Sequence, residues 1–371
     1  MKHLTVGMLC LFVVCIRLTA HPVTDYSPVD RLALNAPSFA NESIEALVAF
    51  GKNNTQNDRE TVRFYFVWLA RNIDYDSLEL ASTQRRTSKQ EPDSVFLTRK
   101  AICRGYADLM TLLCQKSNIP VRSVSGYSKA VDGATDTVGF HAWNIIKIDN
   151  NWHLFDVTWA SNYLDSDKMV DESFNTYFKQ DAAQFIKRHF PFDPIFQLSD
   201  TITMRGTFFF GDTEGVCEST SISGFNKILD EEAELSTLEQ SLNSYERAVA
   251  FIPEERRLYD VLSYFKSEKA QVYFNKASML LDKFRDISSE TIKNWSCKDV
   301  KNNINEASEA LNYFSQALKL YESMTFIEIN ADTELKKSNM LIIHKNIGAT
   351  GKLIDFLKNV EAEIQKIPLA R

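Results

Sequence analysis

The sequence predicts two consecutive units: an α+β domain over residues 21–200, with helices first and an antiparallel sheet after, and an all-α helical domain over residues 225–371. Three observations lead there. Apolar residues recur at helical spacing from Ser43 to Ile73 and again from Cys103 to Ser117. The period then falls from 3.6 to 2 over three short runs, Val121 to Tyr127, Phe140 to Ile148 and Trp152 to Val157. Beyond residue 224 the helical period returns and persists to Ile367.

Taken in order, the chain opens with Lys2 and His3 ahead of an apolar run from Leu4 to Ile16, closed by Arg17 and Leu18-Thr19-Ala20. This pattern predicts an export signal over residues 1–20, cleaved near Ala20, and so a secreted, periplasmic or cell-envelope protein. The alternative is a retained anchor, but such a run spans only about 20 Å as a helix, against a hydrocarbon core of about 30 Å. Leu9 and Val14 are too large to precede a lipidated Cys10 or Cys15. No later segment approaches spanning length, so no membrane span is expected once the signal is gone.

A polar, proline-containing lead runs from His21 to Pro37. The helical stretch that follows breaks near Gly51-Lys52-Asn53-Asn54, and its second piece turns Val62, Phe66, Leu69 and Ile73 inward. Ser82 to Asp93 is a polar loop leading to Val95-Phe96-Leu97. The next helix starts at Cys103, puts Tyr106, Leu109, Met110 and Leu113 on one side, and stops at Asn118 before Ile119-Pro120. The last two strands meet at Asp149-Asn150-Asn151, a tight hairpin. Phe190-Pro191-Phe192-Asp193-Pro194 closes the block, and residues 201–224 form a connector of little regularity.

Four helical segments follow, near residues 225–251, 255–286, 299–323 and 334–366. Three share a spacing of small, aromatic and small residues: Ser241-Tyr245-Ala248, Ala270-Phe274-Ala277 and Ala310-Phe314-Ala317. That spacing resembles the second helix of tetratricopeptide repeats, but the offsets between copies are 29 and 40 residues rather than constant. A degenerate repeat array and an irregular bundle both fit. Either suits a non-catalytic unit offering a surface to a protein partner.

Composition narrows the function classes. The chain has 371 residues, 44% of them hydrophobic and 25% charged, ordinary for two folded domains. Its net charge of -7 comes from 49 acidic and 42 basic residues with no basic block, which argues against nucleic acid as a partner. With the signal removed, Cys103, Cys114, Cys217 and Cys297 remain. On one helix Cys103 and Cys114 would stand about 16 Å apart, beyond the bridging limit of about 7 Å. Cys217 and Cys297 form a disulfide or stay as two thiols.

Ala101-Ile102-Cys103-Arg104-Gly105-Tyr106-Ala107 places a thiol in the first turn of a helix, where open N–H groups and the positive dipole end favour thiolate. The Cys103 N–H is also placed to receive an oxyanion. If the hairpin turn is the pair Asp149-Asn150, facing positions sum to 299 and Asp156 lies opposite Trp143. His141 and Asp156 then share a face as diagonal neighbours, about 5–8 Å apart. A turn of odd length would separate them.

Cys-Arg-Gly-Tyr-Ala (103–107), Ser-Gly-Tyr (125–127), His-Ala-Trp-Asn (141–144) and Trp-His-Leu-Phe-Asp-Val-Thr-Trp (152–159) resemble, in order and spacing, the papain-like core of the transglutaminase-like superfamily. Tyr177-Phe178 and His189-Phe190-Pro191 look like the tail that follows this core in secreted bacterial members. The resemblance covers about half the chain. It implies a catalytic triad in which Cys103 attacks an amide or ester carbonyl, His141 takes and returns the proton, and Asp156 orients the ring. Water as acceptor makes a peptidase or amidase, and an amine makes a transglutaminase. The sequence departs from the family's commonest pattern in Ala101-Ile102 before the cysteine and in Val157 after the aspartate. No side-chain oxyanion donor upstream of Cys103 stands out.

The reading is therefore a cysteine enzyme acting on peptide or isopeptide bonds of a protein, peptide or cell-wall peptide, hydrolysis ahead of crosslinking, with a silent cell-envelope scaffold as the alternative. No cofactor and no metal are expected, since His141, His153 and Cys103 show no ligand spacing. Trp143 and Trp159 read as core residues or cleft walls, Arg104 as a solvated or substrate-pairing cation, and His153 as structural. Asn41, Asn53 and Asn294 are glycosylation acceptors only in a eukaryotic host.

Overall fold

A five-stranded antiparallel sheet with strand order β6-β5-β4-β3-β7 organises the N-terminal half. Its strands are β3 (Val121–Asp132), β4 (Thr135–Ile148), β5 (Asn151–Phe155), β6 (Phe178–Gln180) and β7 (His189–Pro191). The computed structural model describes residues 24–80, 90–132, 135–161, 172–211, 224–285, 287–325 and 330–366. The expected export signal, Cys217, most of the Ser82 to Asp93 loop and the end of the connector lie outside the described residues.

Helices α1 (Ser27–Leu34), α2 (Ile44–Asn54) and α3 (Asp58–Asn72) precede the sheet. Ser43 and Asn57 cap α2 and α3 by accepting the Ala46 and Glu60 N–H groups. A short parallel pair, β1 (Asp74–Tyr75) with β2 (Lys100–Ala101), brackets α4 (Ser77–Leu80) and α5 (Pro92–Thr98) and leads into α6 (Cys103–Lys116). Three faces of this region meet in one core, in which Phe66 of α3, Tyr106 and Leu113 of α6 and Ile146 and Phe155 of the sheet are fully buried.

The hairpin behaves as expected. Asn144 faces Phe155 and Ile148 faces Asn151, so each pair sums to 299. Asp149 and Asn150 carry φ of 53° and 61°, the double left-handed turn that matches strand twist. The third strand differs: it stops at Phe155, and α7 (Val157–Ser161) begins where extension to Val157 was expected. Asp156 causes the change, because its Oδ1 accepts the Trp159 N–H at 3.0 Å and so caps the helix.

α8 (Glu172–Thr176) precedes β6, α9 (Ala182–Phe185) lies between β6 and β7, and α10 (Arg205–Phe210) follows the sheet. α10 is a regular piece of the expected connector, held by burial of Phe208 against Phe190. The helical half comprises α11 (Phe225–Ala233), α12 (Thr237–Phe251), α13 (Arg257–Asp282), α14 (Ser289–Lys293), α15 (Cys297–Glu322) and α16 (Asn330–Lys366). The expected first segment is split because Ser236 and Glu239 form a capping box that starts α12 afresh. Ala270, Ala277, Ala310 and Ala317 are fully buried, and the Phe274 and Phe314 rings meet at 5.4 Å, so the small-aromatic-small spacing marks helix seams. Among the described residues no helix is long and apolar enough to cross a membrane.

The helical half is joined to the sheet by buried charge as well as by apolar packing. Arg247 of α12 pairs with Asp193 at 2.8 Å and Glu232 at 2.5 Å, and Arg122 of β3 reaches Glu232 at 3.3 Å. Trp143 and Leu154 on the second sheet face pack with Phe185, Phe196 and Leu229 of α11. The sheet is thus covered on both faces.

Candidate active site

Cys103 is the first residue of α6, and its neighbour Ile102 offers no capping side chain. The first-turn N–H groups consequently point free at the thiol end. Gln90 supplies a contact that the sequence did not disclose: its Oε1 accepts the Ile102 N–H at 3.0 Å. Gly105 makes room for it, because a Cβ there would lie 2.6 Å from that oxygen and 2.9 Å from the Ala101 Cβ. The glycine of Cys-Arg-Gly-Tyr is required by this close approach.

β4 is tied directly to α6. Asn144 Nδ2 donates to the Ala107 carbonyl and to Thr111 Oγ1, both at 3.0 Å, and Ala142 packs against Cys103 and Ala107. Gly126 of the Ser-Gly-Tyr motif faces His141 across the β3–β4 ladder. A Cβ there would sit 2.2 Å from the Phe190 carbonyl oxygen and 2.6 Å from Trp143, so β7 can pair with β3 only over a glycine.

His141 Nε2 donates to Asp156 Oδ2 at 2.8 Å, which leaves Nδ1 as the nitrogen for the Cys103 side. Burial alone disfavours the imidazolium, but the Asp156 charge and hydrogen bond, with a further contribution from Cys103, push His141 up to about 10. Burial would likewise raise Asp156, yet His141 and the N–H donors around it hold the carboxyl well below the usual carboxylate range. Exposure falls from 9% at Cys103 through 7% at His141 to 0% at Asp156, so the three side chains open toward solvent at the sulfur end.

His189 is a fourth member. Its Nε2 donates to the same Asp156 Oδ2 at 2.9 Å, and its Nδ1 faces the Phe185 carbonyl at 3.3 Å. Burial keeps this ring below the ordinary imidazole range, against the pull of its Asp156 and Phe185 hydrogen bonds. The donor atoms of His141, Asp156 and His189 lie within 4.8 Å of one another and are of types that could hold a divalent metal. Their mutual hydrogen bonds account for all three without an ion.

Residues 46–157 match the family model described as the transglutaminase-like superfamily, a span that contains Cys103, His141 and Asp156. This chain carries a transglutaminase-like domain. It is 32% identical over 181 residues to the kyphoscoliosis peptidase of Homo sapiens, covering 47% of this chain and 27% of that protein. The corresponding Mus musculus peptidase is 32% identical over 161 residues, covering 42% and 24%. The chain thus spans about a quarter of the length of the curated relatives it matches. Among solved structures, a provisionally assigned cysteine protease from Cytophaga hutchinsonii is 26% identical over 34% of this chain and 40% of its own, with a TM-score of 0.27. A structure described as a TGase is 19% identical over 38% and 35%, with a TM-score of 0.26.

Within the transglutaminase-like domain the remaining expected residues divide. Trp159 is a wall of the site, its ring 5.4 Å from His141 and 4.5 Å from His189. Trp143 is core, 1% exposed and packed on Phe185. Arg104 is no free cation: it pairs with Asp108 at 3.1 Å and donates to Ser125 Oγ at 3.1 Å. His153 lies away from the relay beside Lys179, and burial with that lysine's charge lowers it to about 4. Cys114 is fully buried on α6 with its thiol pushed up by burial, and Cys297 is half-buried at the start of α15.

Gln90, His189 and Tyr75 join the site through the fold. Tyr75 pairs with Ala101 across β1–β2, and burial together with the charges of Cys103 and Asp156 holds its phenol up to about 12. The signal for His189 was its place in His-Phe-Pro of the family tail. Gln90 and Tyr75 had no such signal, since Tyr75 reaches the site by the pairing of two-residue strands and Gln90 by a single side-chain contact from just ahead of α5.

Proposed function

We propose that the protein is a cysteine acyl-transfer enzyme of the transglutaminase-like type, acting on peptide or isopeptide amides, with hydrolysis favoured over crosslinking. One observation carries this reading: the hydrogen bond from His141 Nε2 to a fully buried Asp156 carboxylate, which fixes the tautomer and leaves Nδ1 to take the Cys103 proton. The similarity to two peptidases supports hydrolysis.

In the proposed cycle Cys103 passes its proton to His141 Nδ1 and its sulfur attacks the amide carbon. The oxyanion that forms is received by the open N–H groups at the start of α6. As the C–N bond breaks, His141 returns the proton to the departing amine, leaving a thioester on Cys103. Water, deprotonated by the same ring, then releases the acid and restores the thiol; an amine in its place would give a crosslink. Asp156 stays ionised throughout, and His189 holds its second lone pair. The proposal includes export through residues 1–20, a core over 21–200, a connector over 201–224 and a helical domain over 225–371 that positions a substrate or partner.

The test is the rate of Cys103 alkylation by iodoacetamide against pH, beside Cys103→Ala and His141→Ala. Fast labelling persisting to about pH 6 and slowed in His141→Ala is the expected result. Slow labelling that tracks an ordinary thiol titration near about pH 8.5 in both proteins would leave a scaffold in place of an enzyme.

A further inference from the structure

A cavity of about 440 Å³ lies beside the first half of β3, between the transglutaminase-like core and helices α12 and α13. Its near side includes Arg104, Ser125 and Phe192, and its far wall Ser241 and Tyr245 of α12 with Phe265 of α13. The volume falls in the range of about 300–1,000 Å³ typical of ligand sites. One chain of contact joins it to the thiol, and a second runs from it to the strand that carries Ala142. Arg104 directly follows Cys103 and bonds Ser125, which faces Ala142 across the ladder, and Ala142 packs on Cys103. Phe192 meets the Tyr127 ring at 5.2 Å and the Phe140 ring at 6.1 Å, and Phe140, half exposed, precedes Ala142 by two residues on the same face.

Charge decides what the cavity accepts. Its charged lining residues are Arg104, Asp108, Arg122 and Asp193. Each is already paired within the protein: Arg104 with Asp108, Arg122 with Glu232, and Asp193 with Arg247. The surface left for a ligand is aromatic rings, hydroxyls and amides. A charged side chain placed here would lose its water and find no free counter-charge. An uncharged one would bury apolar area against Phe192, Tyr245 and Phe265.

We propose that this cavity is a specificity subsite, taking an uncharged apolar or aromatic side chain of a peptide substrate next to the amide attacked by Cys103, and that the helical half supplies its outer wall. The inference rests on the acyl-transfer reading above and deepens it by naming the substrate class.

The test uses the full chain and a set of peptidyl vinyl sulfones differing only in the residue beside the electrophile: Phe, Leu, Ala, Lys or Glu. Covalent labelling of Cys103 is followed by mass, with iodoacetamide, too small to need the cavity, as the control on the same proteins. The Phe and Leu probes are expected to label about tenfold or more faster than the Lys and Glu probes. Ser241→Trp, which fills the cavity, should erase that preference, and Phe265→Ala, which enlarges it, should shift it toward a Trp probe. These opposite changes do not follow from a purely structural role. Equal rates for all probes, or a preference untouched by both substitutions while iodoacetamide still labels fast, would overturn the subsite and leave the acyl-transfer reading standing. Slow iodoacetamide labelling of the unaltered protein would overturn both.

Discussion

Gln90 and Gly105 compete for one small volume: the Gln90 Oε1 lies 2.6 Å from where a Gly105 Cβ would be. Gly105→Ala must therefore displace the far end of Gln90 from the Ile102 N–H. We expect Cys103 labelling by a peptide probe to slow by about 100-fold, the cost of a misplacement near 1 Å at a reacting centre, and Tm to fall as well, because the added Cβ also meets the Ala101 Cβ at 2.9 Å. An unaltered rate would show that the Gln90 amide takes no part.

Removing the second donor to Asp156 should be felt in stability before chemistry. His189→Leu takes one N–H from a buried carboxylate, at a cost of about 1.5–3 kcal/mol for a hydrogen bond to a charged group. His189→Gln can still present an N–H and should recover most of the loss. Urea unfolding of the three proteins distinguishes this from simple packing, in which Leu would be the milder change.

The His141–Asp156 pair predicts a pH window. His141 is held up to about 10 in the folded protein, against about 6.5 unfolded. The folded state therefore binds this proton more tightly, and the stabilisation is fully present below about pH 6.5 and is lost as pH rises through about 10. Asp156→Asn keeps the shape and removes the charge. The Tm gap between the unaltered protein and this variant should be widest near pH 6 and narrow toward pH 10; a gap constant with pH would contradict the ionised pair.

Arg247 holds the helical half to the core by pairing with two buried carboxylates, Asp193 and Glu232. Arg247→Met leaves them facing each other with only Arg122 nearby, and we expect destabilisation of about 3–5 kcal/mol at neutral pH. Both carboxyls would then titrate higher, so the deficit should shrink as pH falls from 7 toward 5. Denaturant midpoints at the two pH values check the sign.

Where the chain announced its structure, it did so through short-range chemistry. The Asp149-Asn150 turn fixes the hairpin register, and that register alone puts His141 and Asp156 on one face. The start of α6 at Cys103 was legible from its helical period. What escaped notice comes from pairing distant in sequence. Tyr75 arrives by a two-residue parallel strand, Gln90 by one side-chain contact ahead of α5, and His189 by a three-residue edge strand over Gly126, none long enough to show a period. The end of β5 escaped for another reason: Val157-Thr158-Trp159 has strand-like composition, and the Asp156 cap overrides it.

Asp156 holds two posts at once, anchoring the imidazole through Oδ2 and the first turn of α7 through Oδ1. A descendant that abandoned chemistry could replace Cys103 at little expense to folding, but would be under pressure to retain a helix-capping residue at 156. The aspartate in a related sequence is thus a witness to architecture, and under the proposed function only the cysteine would testify to turnover. Loss-of-function surveys of such chains should weigh the two positions differently, and an inactive control is better made at the sulfur than at the carboxylate.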